Sequence, residues 1–272
     1  MNYQSPVWLL YGGCFYIIEN YAGATKVVII KKGNKEKKFM KIVEFENVTR
    51  IYKTGEHELK ALDGVNMSLD EGKFVVILGQ SGAGKSTLLN MLGGLDSPTS
   101  GKITVCGKDI STLNSNELAD YRAETVGFVF QFYNLIPTLT VYENVALVKE
   151  IAKNALNPEK IIEEVGLLDH LHNFPSELSG GEQQRVSIAR AVAKNPKILL
   201  CDEPTGALDS DTGVMVLKLL LSMARNHGKT IVVVTHNQNI AKMADVVIRV
   251  KNGKIKSYEE QRNPMSADEV EW

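Results

Sequence analysis

Eight residues in the first third of the chain combine glycines with a lysine and a hydroxyl side chain. Residues 79–86 read GQSGAGKS, so three glycines precede Lys85 and Ser86. Glycine lets a backbone curl until successive N–H groups converge, and such groups bind phosphate oxygens. The lysine charge can reach the terminal phosphates of a nucleotide, and the serine hydroxyl can ligate Mg²⁺. This segment therefore predicts a site for nucleotide phosphates.

The residues on either side of this segment favour the same interpretation. Residues 74–78 (FVVIL) form a short apolar run typical of a strand, and residues 86–92 have the spacing of a helix. A strand, a glycine turn and a helix in this order are the context that the motif requires, and the helix start adds the positive end of its dipole. We call residues 79–87 the P-loop. Its members are Gly79, Gln80, Ser81, Gly82, Ala83, Gly84, Lys85, Ser86 and Thr87, and we expect all of them to contact the nucleotide.

Two carboxylates follow a second apolar run. Residues 198–203 read ILLCDE, so Asp202 and Glu203 stand where a buried strand ends. Alone, such a pair is also typical of a solvated strand end. Beside a P-loop, however, Asp202 can hold Mg²⁺ through water, and Glu203 can orient or deprotonate the attacking water.

A second glycine-containing segment, LSGGEQQR at residues 178–185, continues as VSIARA. Ser179 and two glycines immediately precede a helix, so free N–H groups and the helix dipole form a second anion site. This segment resembles the signature motif of ATP-binding cassette (ABC) ATPases. The resemblance implies a head-to-tail dimer, in which Ser179, Gly180, Gly181 and Glu182 cap the ATP that is bound by the other subunit.

Four more residues stand in segments that resemble motifs of this family, in the expected order. Gln131, after GFVF, resembles the glutamine that senses Mg²⁺ and the attacking water. Asp209 in ALDS resembles the acid that crosses the dimer, and His236 after IVVVT resembles the switch histidine at the γ-phosphate. Tyr52 resembles the aromatic residue that stacks on adenine, a contact that suits a planar base. The alternative for Tyr52 is a core position at the end of a strand.

The resemblance thus implies ATP and Mg²⁺ as the bound groups. The catalytic side chains implied by it are Lys85, Gln131, Glu203 and His236. The Mg²⁺ ligands implied by it are Ser86, Gln131 and Asp202.

The pattern of apolar runs predicts an α/β fold. Continuous apolar runs at residues 198–201 and 231–234 are typical of strands buried on both faces, and helical spacing at residues 182–194 and 211–225 alternates with them. Helical spacing is also found at residues 141–153 and 158–165, and the second of these opens with Asn157 as a cap and Pro158 in the first turn. The resemblance implies a P-loop NTPase of the ABC type, with a mostly parallel sheet, an antiparallel β edge region and a helical subdomain at about residues 131–190.

The two ends of the chain differ from this middle part. Residues 1–39 carry an aromatic and apolar stretch and then a lysine-rich run, so we expect a leader that is poorly ordered or not native to the domain. A membrane-surface patch is the alternative for its basic run. The family resemblance covers residues 40–258, and residues 259–272 form a tail.

Composition excludes several classes of protein. The net charge is −1, with 31 Lys and Arg against 32 Asp and Glu, so a nucleic-acid-coating protein is not expected. Three cysteines at unrelated spacings indicate neither a disulfide framework nor a zinc site. The longest apolar run is shorter than the ~20 residues that a membrane span requires. A protein that acts at a membrane would therefore need an anchoring partner.

The finer segments YKTGEHELKAL, GLDSPTSG and DEPTGALDS resemble ATPase subunits of macrolide, antimicrobial-peptide and lipoprotein-releasing exporters. That resemblance implies an ATP-hydrolysing subunit on the cytoplasmic face of the cell membrane, bound to separate permease subunits. The apolar residues expected to face the permease are Phe132, Tyr133, Leu135 and Ile136. The alternative is an ABC ATPase that regulates cell-wall remodelling or division without transport. DNA-repair members of the family carry long insertions, and none fits this length.

Overall fold

The computed structural model divides the chain into two units, Met1–Phe39 and Met40–Trp272. It describes residues 7–11, 14–21, 24–31, 41–55 and 57–270. In the first unit three strands pair antiparallel in chain order: β1 (Val7–Tyr11), β2 (Cys14–Tyr21) and β3 (Ala24–Lys31). The sequence does not predict these strands, since we expect no regular structure in the leader.

The second unit is built around a six-stranded sheet. Its strands are β6 (Phe74–Leu78), β9 (Val126–Val129), β10 (Ile198–Asp202), β11 (Thr230–Thr235), β12 (Val246–Lys251) and β13 (Lys254–Glu260). They lie in the order β13-β12-β6-β11-β10-β9, and every pair is parallel except β12 with β13. The predicted mostly parallel α/β sheet is confirmed.

A second, antiparallel sheet forms the predicted β edge region. Its strands are β4 (Lys41–Thr54), β5 (His57–Asp70), β7 (Ser100–Val105) and β8 (Lys108–Asp109), in the order β5-β4-β7-β8. Its long β4 and β5 pair from Lys41 with Asp70 to Thr54 with His57. This register places Tyr52 opposite Leu59, near the turn that connects the two strands.

Helices connect the strands. They are α1 (Lys85–Leu92), α2 (Ser115–Glu124), α3 (Val141–Ala146), α4 (Pro158–Glu164), α5 (Gly180–Ala193), α6 (Ser210–His227) and α7 (Gln238–Ala241). The Asn157 side chain caps α4 by accepting from the N–H of Glu159 at 2.9 Å, as its sequence predicts. Helix α3 is shorter than the predicted span of residues 141–153, because its last turn tightens into a 3₁₀ helix at Leu147–Glu150.

Strand β6 shows why the core sequences are continuously apolar. Its five side chains are all buried, because both faces of the sheet are covered. Phe74 and Val76 pack in a cluster with residues of α5 and α6, whereas Val75 and Ile77 pack with residues of α1 and β4. Alternate residues of a strand point to opposite faces, so one strand joins two cores.

The C-terminal residues pack against α6. A 3₁₀ helix at Ala267–Glu269 buries Ala267, and Val270 is buried beside it. Lys218 of α6 forms an ion pair with Asp268. Among the residues that the structure describes, no helix is long and apolar enough to cross a membrane.

Candidate nucleotide site

The P-loop connects β6 to α1 through a tight turn. Gly82 and Gly84 have φ values of +74° and +105°, in the left-handed region that favours glycine. The N–H of Ala83 donates to the carbonyl of Gln80 at 3.1 Å and closes the turn. Gly84 is the N-cap of α1 and supplies no side-chain cap, so the first N–H groups of this helix are left available to an anion.

Two P-loop glycines are also required by close backbone contacts. A Cβ atom on Gly79 would lie 2.6 Å from the carbonyl oxygen of Val250, and one on Gly84 would lie 2.5 Å from that of Ala61. Both distances are shorter than real side chains allow. The backbone of the loop therefore packs directly against β12 and β5, and this packing fixes the shape of the phosphate cradle.

Lys85 is a buried cation at the first position of α1. Its side chain is only 9% exposed, and its Nζ donates to the carbonyl of Gln80 at 3.1 Å. No carboxylate among the described residues forms an ion pair with it. The Asp202 carboxylate is close enough to interact with the Lys85 charge but forms no ion pair with it, so the arrangement favours an anion bound in front of this buried cation.

Ser86 and Asp202 form a donor set that suits Mg²⁺. The Ser86 side chain is hydrogen-bonded to Asp202, which ends β10. Burial raises the pKa of Asp202, and the Ser86 hydrogen bond and the Lys85 charge oppose that rise. Among the described residues, no group of three or more His, Cys, Asp or Glu side chains could hold a metal. One hydroxyl and one carboxylate fit Mg²⁺, because this ion keeps several waters and substrate phosphates as ligands.

Glu203 is held in place at both carboxylate oxygens. Thr235 Oγ1 donates to its Oε2 at 2.9 Å, and Nδ1 of His236 lies 2.8 Å from its Oε1. Its backbone φ of +46° is left-handed, a strained conformation for a residue with a side chain. The His236 side chain is 72% exposed, whereas that of Glu203 is 17% exposed. The carboxylate thus has a fixed position, and its histidine partner can turn away from it.

Tyr52 projects from β4 with its hydroxyl and one ring face already engaged. The hydroxyl donates to Asp96 Oδ2 at 2.8 Å, and the guanidinium of Arg50 lies 4.6 Å from the ring centroid. Arg50 also pairs with Asp96 at 2.8 Å. A cation over one face leaves the other ring face for a planar ligand.

Most of the predicted site residues share one cleft of about 740 Å³. Those that line it are Tyr52, Ser81, Gly82, Gly84, Lys85, Ser86, Thr87, Gln131, Asp202, Glu203 and His236. The outer face of the P-loop, with Gly79, Gln80 and Ala83, lines a neighbouring cleft of about 390 Å³. The strands that carry the acids, the histidine and the glutamine all end at this edge of the parallel sheet, which is where α/β folds bind ligands.

Five lining residues are absent from the sequence predictions. They are Leu59, Lys60, Ala61, Asn252 and Gly253. The first three follow from the pairing of β4 with β5, which brings residues opposite Tyr52 to the same cleft. Asn252 and Gly253 form an Asn-Gly pair between two apolar runs, a recognisable hairpin signal, but nothing in that signal gives its location in the fold.

The signature residues do not line this cleft. Ser179 caps α5: its N–H and its hydroxyl both donate to Glu182 Oε2 at 2.8 Å. These bonds lower the pKa of Glu182. A Cβ on Gly181 would lie 2.1 Å from Cγ2 of Thr212, whose N–H donates to Asp209 Oδ1 at 3.0 Å. The signature and Asp209 are therefore adjacent to each other, outside the cleft that holds the P-loop.

The segment after Gln131 is fastened to the signature helix. Arg190 of α5 donates to the carbonyls of Asn134 at 2.8 Å and of Tyr133 at 3.2 Å. Asn144 of α3 is fully buried, and its side chain bonds to both the N–H and the carbonyl of Ile136. The loop that begins at the nucleotide cleft is thus held by two helices of the helical region.

Known proteins resemble this chain over most of its length. The family model described as ABC transporter matches residues 62–206. An uncharacterized ABC transporter ATP-binding protein of Thermotoga maritima is 45% identical, over 80% of this chain and 95% of that protein. The macrolide export ATP-binding/permease protein MacB of Hyphomonas neptunium is 43% identical, over 79% of this chain and 34% of its own length.

A solved structure agrees with these similarities. It is the dimeric, post-hydrolysis state of the ATP-binding cassette MJ0796 of Methanocaldococcus jannaschii, bound to ADP and Pi. It matches with a TM-score of 0.75 and 43% identity, and it covers 81% of this chain and 99% of that one. With the cleft and its P-loop, these similarities show that the chain belongs to the ABC transporter family, as an ATP-binding and ATP-hydrolysing subunit.

Proposed function

We propose that this chain hydrolyses ATP to drive export or extraction of a substrate through a separate membrane permease. The observation that carries the proposal is an exposed apolar pair, Phe132 and Ile136, on the loop that begins at the nucleotide cleft. Similarity to MacB, a macrolide export ATP-binding/permease protein by name, supports the proposal, because this chain is 43% identical to it over 34% of the length of MacB. We propose that the subunit is peripheral, on the cytoplasmic face of the membrane.

The apolar surface offered to a permease is smaller than the sequence predicts. Phe132 is 73% exposed and Ile136 is 36% exposed. Leu135, in contrast, packs against the core, and the Tyr133 hydroxyl lies 2.7 Å from the position of a Cβ on Gly180. The two residues proposed to dock on the permease are therefore Phe132, which follows Gln131 directly, and Ile136 on the same loop. Movement at the nucleotide can reach the permease through this short loop.

In the proposed catalytic site, the P-loop amides and Lys85 bind the phosphates, and Ser86, Asp202 and Gln131 hold Mg²⁺. The bound ion would neutralise charge that develops on the phosphoryl oxygens. Lys85 adds its own buried charge for the same purpose. Tyr52 offers its free ring face to adenine.

Glu203 is the proposed general base. Glu203 directly follows β10, and Thr235 of β11 fixes its carboxylate by a hydrogen bond. In this position the carboxylate can accept a proton from the attacking water. His236, now paired with Glu203, is the proposed contact to the γ-phosphate. Because the histidine ring is mostly exposed, it can leave the carboxylate without opening the core.

We further propose that two copies join head to tail when ATP is bound. Ser179, Gly180, Gly181, Glu182 and Asp209 of one copy would then cap the nucleotide of the other. Their place outside the cleft of their own chain supports this arrangement, as does the dimeric state of MJ0796. The Ser179 hydroxyl must exchange its bond to Glu182 for one to the phosphate.

The cassette is proposed to span residues 40–258, with its helical subdomain at about residues 131–190 and a tail at residues 259–272. The leader, residues 1–39, is proposed to be dispensable for this unit. A chain that begins at Met40 is expected to keep its melting temperature and its ATPase rate within error of the full chain. A clear drop in either quantity, measured side by side, would show that the leader contributes to folding or activity.

Tyr52→Ala is expected to raise the KM for ATP and leave kcat nearly unchanged. A stacking ring binds adenine equally in the ground state and the transition state, so its loss weakens binding uniformly. The expected effect is about 1 kcal/mol, by analogy with aromatic pairs. Steady-state kinetics would check it, with Tyr142→Ala as the control aromatic outside the cleft. An unchanged KM would make Tyr52 a structural residue only.

Purification from membranes tests the permease proposal. We expect the tagged chain, extracted in detergent from its own cells, to retain a multi-spanning membrane protein. Phe132→Asp combined with Ile136→Asp should lose that protein, whereas Met215→Asp on α6, where Met215 is 52% exposed, should keep it. Equal retention by both variants would place the docking surface elsewhere. A partner with a large extracytoplasmic domain and no path through the membrane would contradict export.

A further inference from the structure

The turn between β12 and β13 touches the P-loop although it is far from it in sequence. Asn252 and Gly253 have φ values of +52° and +71°, which makes this a two-residue hairpin turn of the type I′ kind. Such turns are usually solvated. Here the N–H of Gly253 donates to the carbonyl of Ala83 at 2.9 Å, and the carbonyl of Gly253 accepts from the N–H of Asp63 at 2.9 Å. One residue thus joins the P-loop to β5.

Side chains reinforce this junction. The Asp63 carboxylate lies 3.0 Å from Nζ of Lys60 and 3.0 Å from Nζ of Lys254. Lys60 belongs to β5, and Lys254 is the first residue of β13 after the turn. The Lys254–Asp63 pair fastens the turn to β5, and the Lys60–Asp63 pair, within β5, holds the Asp63 carboxylate in place.

The junction has no room for side chains. A Cβ on Gly253 would lie 2.8 Å from the carbonyl oxygen of Ala61, the same atom that excludes a Cβ on Gly84. A Cβ on Gly84 would also lie 3.4 Å from the Cα of Gly253. Asn252 and Gly253 also line the nucleotide cleft. Three backbone segments therefore meet at the start of α1, where the phosphate-binding amides begin.

We propose that the β12–β13 turn is a positioning element of the nucleotide site, and that Gly253 sets the position of Ala83 and Gly84. The turn holds the P-loop from behind, so that its amides are in place before the nucleotide arrives. This inference rests on the proposed role of the P-loop in ATP binding. It assigns a function at the site to the last hairpin of the sheet, which contains none of the predicted site residues.

A matched pair of glycines tests the proposal. Gly107 occupies the equivalent position of the β7–β8 turn: Cys106 and Gly107 have φ values of +51° and +78°, and nothing lies within 4 Å of a Cβ on Gly107. Gly253→Ala and Gly107→Ala therefore introduce the same backbone strain, but only the first displaces a neighbour. Both should lower the melting temperature of the full chain.

The decisive measurement is the Kd for ATP with Mg²⁺, by calorimetry well below both melting temperatures. Gly253→Ala should raise this Kd at least ~10-fold, since small misplacements of binding groups have large effects. Gly107→Ala should leave it within about twofold of the unsubstituted chain, as expected for a change outside the site. A purely structural role would change the melting temperature and not the Kd. Equal Kd values for the two variants would overturn the proposal.

A second pair of variants decides the question if Gly253→Ala does not fold. Asp63→Ala removes both ion pairs at the junction, whereas Glu58→Ala removes only the exposed pair with Lys53 on the same hairpin. Asp63→Ala should raise the Kd for ATP by a measurable factor, and Glu58→Ala should not. If neither variant differs from the unsubstituted chain, the proposal is wrong. If the unsubstituted chain binds no ATP, the proposed nucleotide site itself fails.

Discussion

Replacing Glu203 by glutamine is expected to lower ATP hydrolysis by at least ~100-fold, in line with the loss of a general base. Glutamine keeps the shape of the side chain and can still accept the Thr235 hydrogen bond, which is now 2.9 Å long. It cannot take a proton from the attacking water. The P-loop, Lys85 and Asp202 are untouched, so the Kd for ATP should stay close to that of the unsubstituted chain.

Phosphate release in single-turnover and steady-state experiments would check this expectation. Glu163→Gln, at an exposed position of α4, is the matched control and should leave the rate unchanged. A Glu203→Gln variant that hydrolyses ATP at the normal rate would show that another group accepts the proton. A variant that no longer binds ATP would instead assign Glu203 to binding.

Lys85→Met is expected to weaken ATP binding roughly 10- to 100-fold, the effect of losing a hydrogen bond from a charged group. Methionine preserves most of the buried aliphatic stem, so the variant should fold. The ammonium donates a hydrogen bond to the Gln80 carbonyl at 3.1 Å, and a neutral carbonyl compensates a buried charge only partly. We propose that the phosphate oxygens of bound ATP supply the remaining counter-charge.

Calorimetric titration with ATP and Mg²⁺ would measure the effect of Lys85→Met. Lys108→Met, on the exposed strand β8, is the control and should bind ATP as before. The unfolding temperature should hardly fall, and it should rise less on addition of ATP than that of the unsubstituted chain. Undiminished ATP affinity would remove Lys85 from the proposed site.

The sequence predicts the central strands well, for a physical reason. Residues 74–78 are predicted as a strand and form β6 with the same limits, because a strand covered on both faces must be apolar throughout. The start of α4 is predicted equally well, since a capping asparagine and a proline specify a helix start locally. These features depend on nearby residues alone.

Features that depend on tertiary contacts are less predictable. The end of α3 is misplaced by the sequence, because nothing local distinguishes an α-helical last turn from a 3₁₀ turn. The leader sequence does contain a hairpin signal, the Gly12-Gly13 pair between β1 and β2, and the expectation of a poorly ordered leader leaves it unused. The inward packing of Leu135 is decided by the helical region around it, whereas the sequence predicts it at the surface.

In the candidate site, too, features set by local sequence are predicted and features set by tertiary contacts are not. Motif spacing predicts the residues that share the cleft, because each motif stands at the end of a strand whose neighbours are set by the fold. The pairing of His236 with Glu203 and the engagement of Tyr52 with Asp96 are not predicted. Both contacts join residues far apart in sequence, so only the folded chain brings them together.

The most direct test of the whole account is the molar mass of the Glu203→Gln variant in solution, with and without ATP and Mg²⁺. Size-exclusion chromatography with light scattering should show a monomer without nucleotide and a stable dimer with ATP. Adding Ser179→Arg should abolish the dimer, because a bulky cation would occupy the site that caps the partner's phosphate, while ATP binding by each monomer persists. A Glu203→Gln chain that remains monomeric with ATP at high protein concentration, or a dimer that survives Ser179→Arg, would contradict the head-to-tail arrangement.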